Sequence, residues 1–233
     1  MDGTTRRLFI GGLAALMAGE ARADEASPLA HGALANNPLA QAFEPFSKDL
    51  PDVVLNGPKG DVHITDFKGK TLVMPLWAEW CTPCMTELAD FGRLQAKYGN
   101  DSFAIMPVLT GTMKQMTPAT LAQIFGFLHA DSLQPLVEAH FGDRLFHAMA
   151  RKGDEYELPC NLVIAPGGTV IAREIGLRAR PHADDDPAKN LKGEAYRAAI
   201  LGRAEAGEVL TLWGTVVGEM FAAALANGFL AGK

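Results

Sequence analysis

Short apolar runs in this chain alternate with longer segments that have helical spacing. Residues 53–55 and 62–65 flank a glycine turn at 57–60, and this pattern predicts a β-hairpin. Residues 71–77 (TLVMPLW) are almost uninterrupted apolar positions, which is typical of a strand buried on both faces. A second run of this kind covers residues 103–109. These runs predict a hairpin followed by two buried strands.

The intervening segments indicate helices. Residues 82–98 carry apolar side chains on one helical face and are followed by Gly-Asn, which favours helix termination. A Thr-Pro pair begins residues 117–129, where threonine can act as the N-cap and proline fits the first turn. We also predict helical structure for residues 133–151.

The last third of the chain completes the pattern. Residues 161–165 and 169–175 flank a Pro-Gly-Gly turn and predict a second hairpin. Residues 210–230 contain one charged residue, Glu219, but their apolar positions follow one face, which favours a packing helix over a membrane span. The order predicts an α/β fold with a central mixed sheet, flanking helices and an N-terminal hairpin.

Residues 1–23 have the features of an export signal. Arg6 and Arg7 precede an apolar run at 8–18, and residues 21–23 (ARA) provide a small-x-small cleavage pattern. The run is about half as long as the roughly 20 residues that a membrane helix needs. The arginine pair resembles the twin-arginine signal, so we expect a periplasmic protein that is soluble after cleavage. The alternative is a buried N-terminal helix.

Composition excludes several classes of protein. The 233 residues are 48% hydrophobic and 21% charged, as in ordinary globular proteins. Lysine and arginine number 21 against 27 acidic residues, a net charge of −6, so there is no general attraction to nucleic acid. We expect no nucleic-acid partner and a monomeric protein.

Three cysteines are present, so at least one of them has no partner within the chain. Cys81 and Cys84 lie where a buried strand passes into a helix. A helix N-terminus lowers the pKa of a thiol, which predicts Cys81 as a nucleophile. Cys84 would lie one turn later and attack a mixed disulfide, with Pro83 stiffening the turn. The alternatives are half of a zinc site and a pair of inert buried thiols.

These residues carry a family resemblance. The segment WAEWCTPC at 77–84 resembles the thioredoxin active site, and DFKGK at 66–70 with CMTE at 84–87 resembles the exported TlpA/ResA branch. The resemblance extends over about residues 50–176. It implies a thioredoxin-like domain at 51–233, preceded by an irregular lead-in segment at 24–50. Residues 177–208, with their acidic run, are predicted as an insertion before the C-terminal helix.

The resemblance also assigns roles to individual residues. Pro159 would follow a cis peptide bond, pack against the disulfide and leave backbone groups free for a substrate strand. Glu87 would be a buried acid that takes the proton from Cys84, or else a glutamate that faces solvent in the first turns of the helix. The classical thioredoxins carry a buried aspartate where this chain has Pro75. The residues expected to contact substrate are Trp80, Thr82, Pro83, Leu158 and Cys160.

Cys160 is the third thiol. It directly follows the expected cis-proline, which predicts a position near the rim of the site. It could tune, cap or trap the Cys81–Cys84 pair, or it could be a small buried hydrophobic residue at the start of a strand.

The resemblance implies a periplasmic thiol–disulfide oxidoreductase. Its targets would be proteins with cysteine pairs, such as apocytochromes c during cytochrome c maturation or copper-site proteins. A membrane thiol donor of the DsbD/CcdA kind would supply electrons, and we expect no organic cofactor and no metal. One alternative is an oxidant of DsbA character. Another is a copper chaperone, for which the candidate ligands besides the cysteines are Met106, Met113, Met116, His129, His140 and His147.

Overall fold

The computed structural model describes residues 27–51, 53–110, 116–134, 136–138, 144–153, 155–176 and 211–231. The expected export signal at 1–23 and the whole of the expected insertion at 177–208 lie outside these residues, as do 209 and 210. The division into a lead-in and a single domain stays a prediction.

The strands are β1 (Glu44–Asp49), β2 (Val54–Gly57), β3 (Gly60–His63), β4 (Thr71–Trp77), β5 (Phe103–Ile105), β6 (Val108–Leu109), β7 (Leu136–Glu138), β8 (Arg151–Lys152), β9 (Glu155–Tyr156), β10 (Cys160–Ile164) and β11 (Thr169–Ile175). The α-helices are α1 (Pro38–Ala42), α2 (Thr82–Tyr98), α3 (Pro118–Phe127), α4 (Arg144–Met149) and α5 (Val216–Ala226). Short 3₁₀ turns cover Gly32–Leu34 and Ile64–Phe67.

One mixed sheet organises the described part of the chain. Its strand order is β1-β11-β10-β4-β6-β7-β2-β3. Strand β5, which is not in this order, also pairs with β4. Strands β5 and β6 run parallel to β4, whereas β10 is antiparallel to it. The two predicted hairpins are present as β2–β3 and β10–β11. The expectation of an α/β fold with a central mixed sheet and flanking helices is confirmed.

Each face of the sheet carries its own hydrophobic core, because side chains alternate between the two faces along each strand. The first core lies against α1, α2, α3 and α5 and includes Val73, Trp77, Leu88, Phe91, Phe125 and Phe221. The second core lies against α4 and includes Leu72, Met74, Leu76, Leu145, Cys160 and Leu162. Every residue of β4 is buried, since this strand is covered on both faces.

Residues 103–109 form two short strands and not one. Their register with β4 is the same on both sides of the break, with Ile105 opposite Val73 and Val108 opposite Leu76. Pro107 lies in the gap and has no N–H group for the strand ladder. The prediction of one continuous strand is therefore wrong at this proline.

The prediction of a helix over residues 133–151 is wrong in its first half. Residues Leu136–Glu138 form β7, which is parallel to β6, and among the residues of this stretch that the structure describes, the helix is confined to Arg144–Met149. The sequence of residues 136–138 is too short to distinguish a helix from a strand. These residues form a strand because they can pair with the free edge of β6.

The described part of the expected irregular segment, residues 27–50, is ordered into α1 and β1. Asn37 caps α1 by accepting hydrogen bonds from the backbone of Leu39 and Ala40. β1 pairs with β11 at the edge of the sheet, where Pro45 is tolerated because an edge strand does not need every N–H group. The expectation of irregular structure over 24–50 is therefore wrong for residues 38–42 and 44–49.

The C-terminal helix is shorter than the apolar segment at 210–230 that predicted it. It runs from Val216 to Ala226 and buries Phe221 and Leu225 in the first core, but Val216 and Met220, expected on the packed face, are more than half exposed. Among the described helices, none is both long enough and apolar enough to cross a membrane.

Candidate active site at the Cys81–Cys84 disulfide

Cys81 and Cys84 form a disulfide at the junction between β4 and α2. Their Cα atoms lie 5.3 Å apart, and both side chains are buried. Cys81 is the N-cap of α2, and its sulfur accepts a hydrogen bond from the backbone N–H of Cys84 at 3.3 Å. After reduction the same N–H group is available to a Cys81 thiolate, and the helix N-terminus favours a negative charge there. The expected strand-to-helix context is therefore present.

The residues around the disulfide differ in exposure. Thr82 and Pro83 form the first turn of α2 and are partly exposed. Trp80 is 47% exposed, which is unusual for a large aromatic side chain. An exposed indole directly before Cys81 gives the site an apolar contact surface.

The peptide bond between Leu158 and Pro159 is cis, as the resemblance implied. Because β10 is antiparallel to β4, the start of β10 lies beside the C-terminal end of β4. The chain passes from this end of β4 to Cys81. The Pro159 carbonyl already accepts a hydrogen bond from the N–H of Gly176 at 2.9 Å. The expectation of free backbone groups therefore fails for this carbonyl.

Glu87 lies inside the protein, with 1% of its surface exposed. It follows Cys84 by three residues and so shares a helix face with it. Burial raises the pKa of Glu87 well above its ordinary value, and the nearby Glu174 and Asp90 raise it further. The hydrogen bond from Asn161 opposes this shift. The alternative of a solvent-facing glutamate is wrong.

Sequence reasoning missed Asn161 and Glu174, which accompany Glu87 in the first core. The amide Nδ2 of Asn161 donates to Glu87 Oε2 at 3.1 Å and to Glu174 Oε2 at 2.8 Å. Asn161 and Glu174 are opposite each other on β10 and β11, and Asn161 is also opposite Pro75 on β4. The sequence signal that could have identified them is the presence of two polar residues at inward-facing positions of buried strands.

Cys160 does not lie at the rim of the site. It belongs to the second core, is fully buried, and its thiol donates to the carbonyl of Met149 at 3.6 Å. Burial raises the pKa of this thiol far above its ordinary value. Since neighbouring residues of a strand face opposite ways, Cys160 points away from the first core. The expectation of a rim thiol that contacts substrate is wrong, and the buried hydrophobic role fits.

The candidate copper ligands do not form a group within the described residues. Met106 is buried in the second core, Met116 packs against the first, and His147 contacts the rings of Phe146 and Tyr156. In the described ranges, no three histidine, cysteine or acidic side chains are arranged to hold a metal ion. Met113 and His140 lie outside these ranges.

Comparison with known proteins identifies the family of this chain. The model of the AhpC/TSA family matches residues 46–173. The thiol-disulfide oxidoreductase ResA of Geobacillus kaustophilus is 32% identical over 77 residues, which are 33% of this chain and 44% of that protein. The thioredoxin-like protein YneN of Bacillus subtilis is 34% identical over 62 residues, covering 26% and 36% of the two chains. The chain thus spans less than half the length of these curated relatives.

Solved structures with a similar backbone are distant in sequence. The exposed lipoprotein thioredoxin Etrx1 of Streptococcus pneumoniae is 20% identical, with a TM-score of 0.44 and coverage of 67% of this chain and 99% of that chain. A putative thiol:disulfide interchange protein DsbE from Chlorobium tepidum is 21% identical, with a TM-score of 0.45 and coverage of 69% and 99%.

Proposed function

We propose that this chain, which belongs to the AhpC/TSA family, is a thiol–disulfide oxidoreductase that acts through Cys81 and Cys84. The observation that carries the proposal is the disulfide across the first turn of α2, with Cys81 as the N-cap. A loop closed by so few residues adds little stability, so a structural role explains it poorly. The relatives named ResA support the same activity.

In the proposed reaction the reduced protein transfers two electrons to a substrate disulfide. The Cys81 thiolate attacks one substrate sulfur, the substrate S–S bond breaks, and a mixed disulfide forms while the other substrate sulfur leaves as a thiolate. Cys84 then loses its proton, attacks the Cys81 sulfur and releases the second substrate thiolate. The product is the Cys81–Cys84 disulfide seen in the structure.

Glu87 is our candidate for the group that takes the proton from Cys84. It lies on the same face of α2 as Cys84, and burial raises its pKa well above the ordinary value, so the carboxyl group can hold a proton that an ordinary glutamate would lose. Pro75 has no titratable group, so it provides no proton route of the thioredoxin kind.

The substrate surface would be built around the exposed Trp80. Thr82 and Pro83 border it from α2, and the resemblance to thioredoxins adds Leu158 and Pro159 from the segment before β10. The redox-active group is the cysteine pair itself, so the proposal requires no organic cofactor and no metal.

For the biological role we propose reduction of cysteine pairs in exported proteins, such as apocytochromes c or copper-site proteins. The supporting observations are the export-signal pattern at 1–23 and the similarity to proteins named ResA. Electrons would come from a membrane thiol donor of the DsbD/CcdA kind.

The reduction potential tests the direction of electron flow. A potential near or below that of thioredoxin, about −270 mV, supports a reductant, whereas a value near −120 mV would make the protein an oxidant of DsbA character. Equilibration with glutathione buffers or with thioredoxin measures it.

Trapping tests the chemistry itself. Cys84→Ser leaves the Cys81 nucleophile without a resolving thiol, so we expect mixed disulfides to accumulate on non-reducing gels. Cys81→Ser is the matched control and should accumulate none. Equal trapping by both variants would contradict the proposed roles of the two cysteines.

A further inference from the structure

Two acidic side chains share one hydrogen-bond donor in the first core. Asn161 Nδ2 lies 3.1 Å from Glu87 Oε2 and 2.8 Å from Glu174 Oε2. All three side chains are at most 1% exposed. Among the described residues, Glu87 Oε1 has no hydrogen-bond partner. This oxygen of Glu87 is therefore available to carry a proton.

Two carboxylates this close together in a protein interior destabilise one another. Charges interact more strongly where water is excluded, and a pair of carboxyl groups that share a site titrate at separated pH values. The negative charge of Glu174 accordingly favours the protonated form of Glu87. The hydrogen bond that Asn161 donates acts in the opposite direction, because an N–H donor stabilises the carboxylate.

Few other groups face Glu87. Asp90 on α2 is a third acid, and its charge also favours protonation of Glu87. β10 contributes the neutral Asn161, β11 contributes Glu174, and the opposite position on β4 is Pro75. Within the described residues, no cation is among the groups that shift the pKa of Glu87, so no positive charge opposes the effect of the two acids.

We propose that Glu174 and Asn161 are positioning residues that set the proton affinity of Glu87 in opposite directions. Glu174 keeps a proton on Glu87 while Cys81 and Cys84 form a disulfide, and Asn161 stabilises the carboxylate that remains after Glu87 delivers this proton to Cys84 on reduction. The inference rests on the proposed function and adds the two residues that set the protonation state of Glu87. Neither residue needs to touch the substrate.

The proton balances over the cycle. A donor dithiol attacks the Cys81 sulfur, the Cys81–Cys84 bond breaks, and Cys84 leaves as a thiolate that takes the proton from Glu87. The second donor thiol then attacks the mixed disulfide, releases Cys81 and becomes part of the donor's disulfide. When Cys84 later attacks the mixed disulfide with substrate, its proton returns to the Glu87 carboxylate. The donor loses two electrons and releases its two thiol protons to solvent, while the substrate gains two electrons and its two thiolates take up two protons from solvent.

The direct test is the titration of Glu87 in the oxidised protein, followed by the carboxyl-carbon chemical shift. We expect Glu174→Gln to lower the midpoint by about one pH unit, because a neighbouring negative charge is lost. Asn161→Leu should raise the midpoint, because the donor to the carboxylate is lost. Glu155→Gln, at an exposed position on β9, is the matched control and should leave it unchanged.

Opposite shifts distinguish positioning from a merely structural role, since general loosening of the core would move both midpoints towards the ordinary value. If Asn161→Leu does not fold, the titrations of Glu174→Gln and Glu174→Met still test the inference. Both variants should lower the midpoint of Glu87. An unchanged midpoint in the Glu174 variants overturns the inference.

Turnover provides the second readout. The alkaline limb of the pH–rate profile for reduction of the oxidised protein should move with the midpoint of Glu87 in each variant, whereas its failure to move would exclude Glu87 as the proton carrier. The proposed function fails separately: without mixed-disulfide trapping by Cys84→Ser, the chemistry is wrong whatever the titration shows.

Discussion

Cys160 and Asn161 are neighbours on β10 whose side chains lie on opposite faces of the sheet. Cys160 belongs to the second core and contacts the carbonyl of Met149, whereas Asn161 reaches Glu87 in the first core. The residue that follows the cis-proline is therefore structural, and the next residue contacts the acid proposed for proton transfer.

The burial of Cys160 predicts selective labelling. After mild reduction under native conditions, we expect an alkylating reagent to modify Cys81, whose thiolate the helix N-terminus favours, but not Cys160, because a fully buried thiol with a raised pKa presents little thiolate. Mass spectrometry of the labelled peptides measures this. All three sites should react in denaturant, which serves as the control, and rapid native labelling of Cys160 would contradict its place in the core.

The exposure of Trp80 predicts a role in binding protein substrates. We expect Trp80→Ala to raise KM for a protein disulfide by about tenfold, because truncating an aromatic anchor in a contact surface commonly costs more than 1 kcal/mol. The rate with a small-molecule disulfide should change little. Phe127→Ala, which removes another exposed aromatic ring, from α3, is the control. Equal losses with both kinds of substrate would instead indicate damage to the disulfide site.

The raised pKa of Glu87 predicts a pH dependence of stability. The folded protein holds the proton more tightly than the unfolded chain, so this contribution is complete below the ordinary carboxyl pKa and is lost as pH rises towards the folded pKa. Glu87→Gln should remove this loss, so that the variant gains stability relative to the wild type from about pH 5 upwards.

Urea unfolding of the oxidised proteins at several pH values measures the difference. Asp90, whose pKa burial also raises, remains in both proteins, so the loss of stability caused by its burial is present in both. A constant difference across the pH range would argue against a raised pKa of Glu87.

A close backbone approach predicts the cost of a methyl group at Gly92. A Cβ atom there would lie 2.6 Å from Ala130 Cα, so α2 and the segment after α3 would have to separate. We expect Gly92→Ala to reduce the free energy of unfolding by about 1–3 kcal/mol, the usual cost of overpacking. Gly126→Ala on α3 is the control, because its nearest neighbour is 3.4 Å away and alanine favours helix. Chemical denaturation compares them.

Local pattern sufficed for the elements that carry the cysteines. The helix at 82–98 was predicted with the bounds that the structure has, because capping and apolar spacing are local properties. Residues 136–138 and 44–49 were not predicted as strands. Their conformation depends on open sheet edges at β6 and β11, which no short window of sequence contains.

The sequence by itself determined the chemistry available to this protein: a Cys-x-x-Cys pair at a strand-to-helix junction, an acid one turn later, and a proline before the next central strand. The tertiary structure alone decided the environment of each group. Strand alternation directs Cys160 into one core and Asn161 into the other, and the pairing of β10 with β11 brings Glu174 beside Asn161 and thus near Glu87. Burial and charge proximity, which arise only when distant segments pack together, then raise the pKa of Glu87.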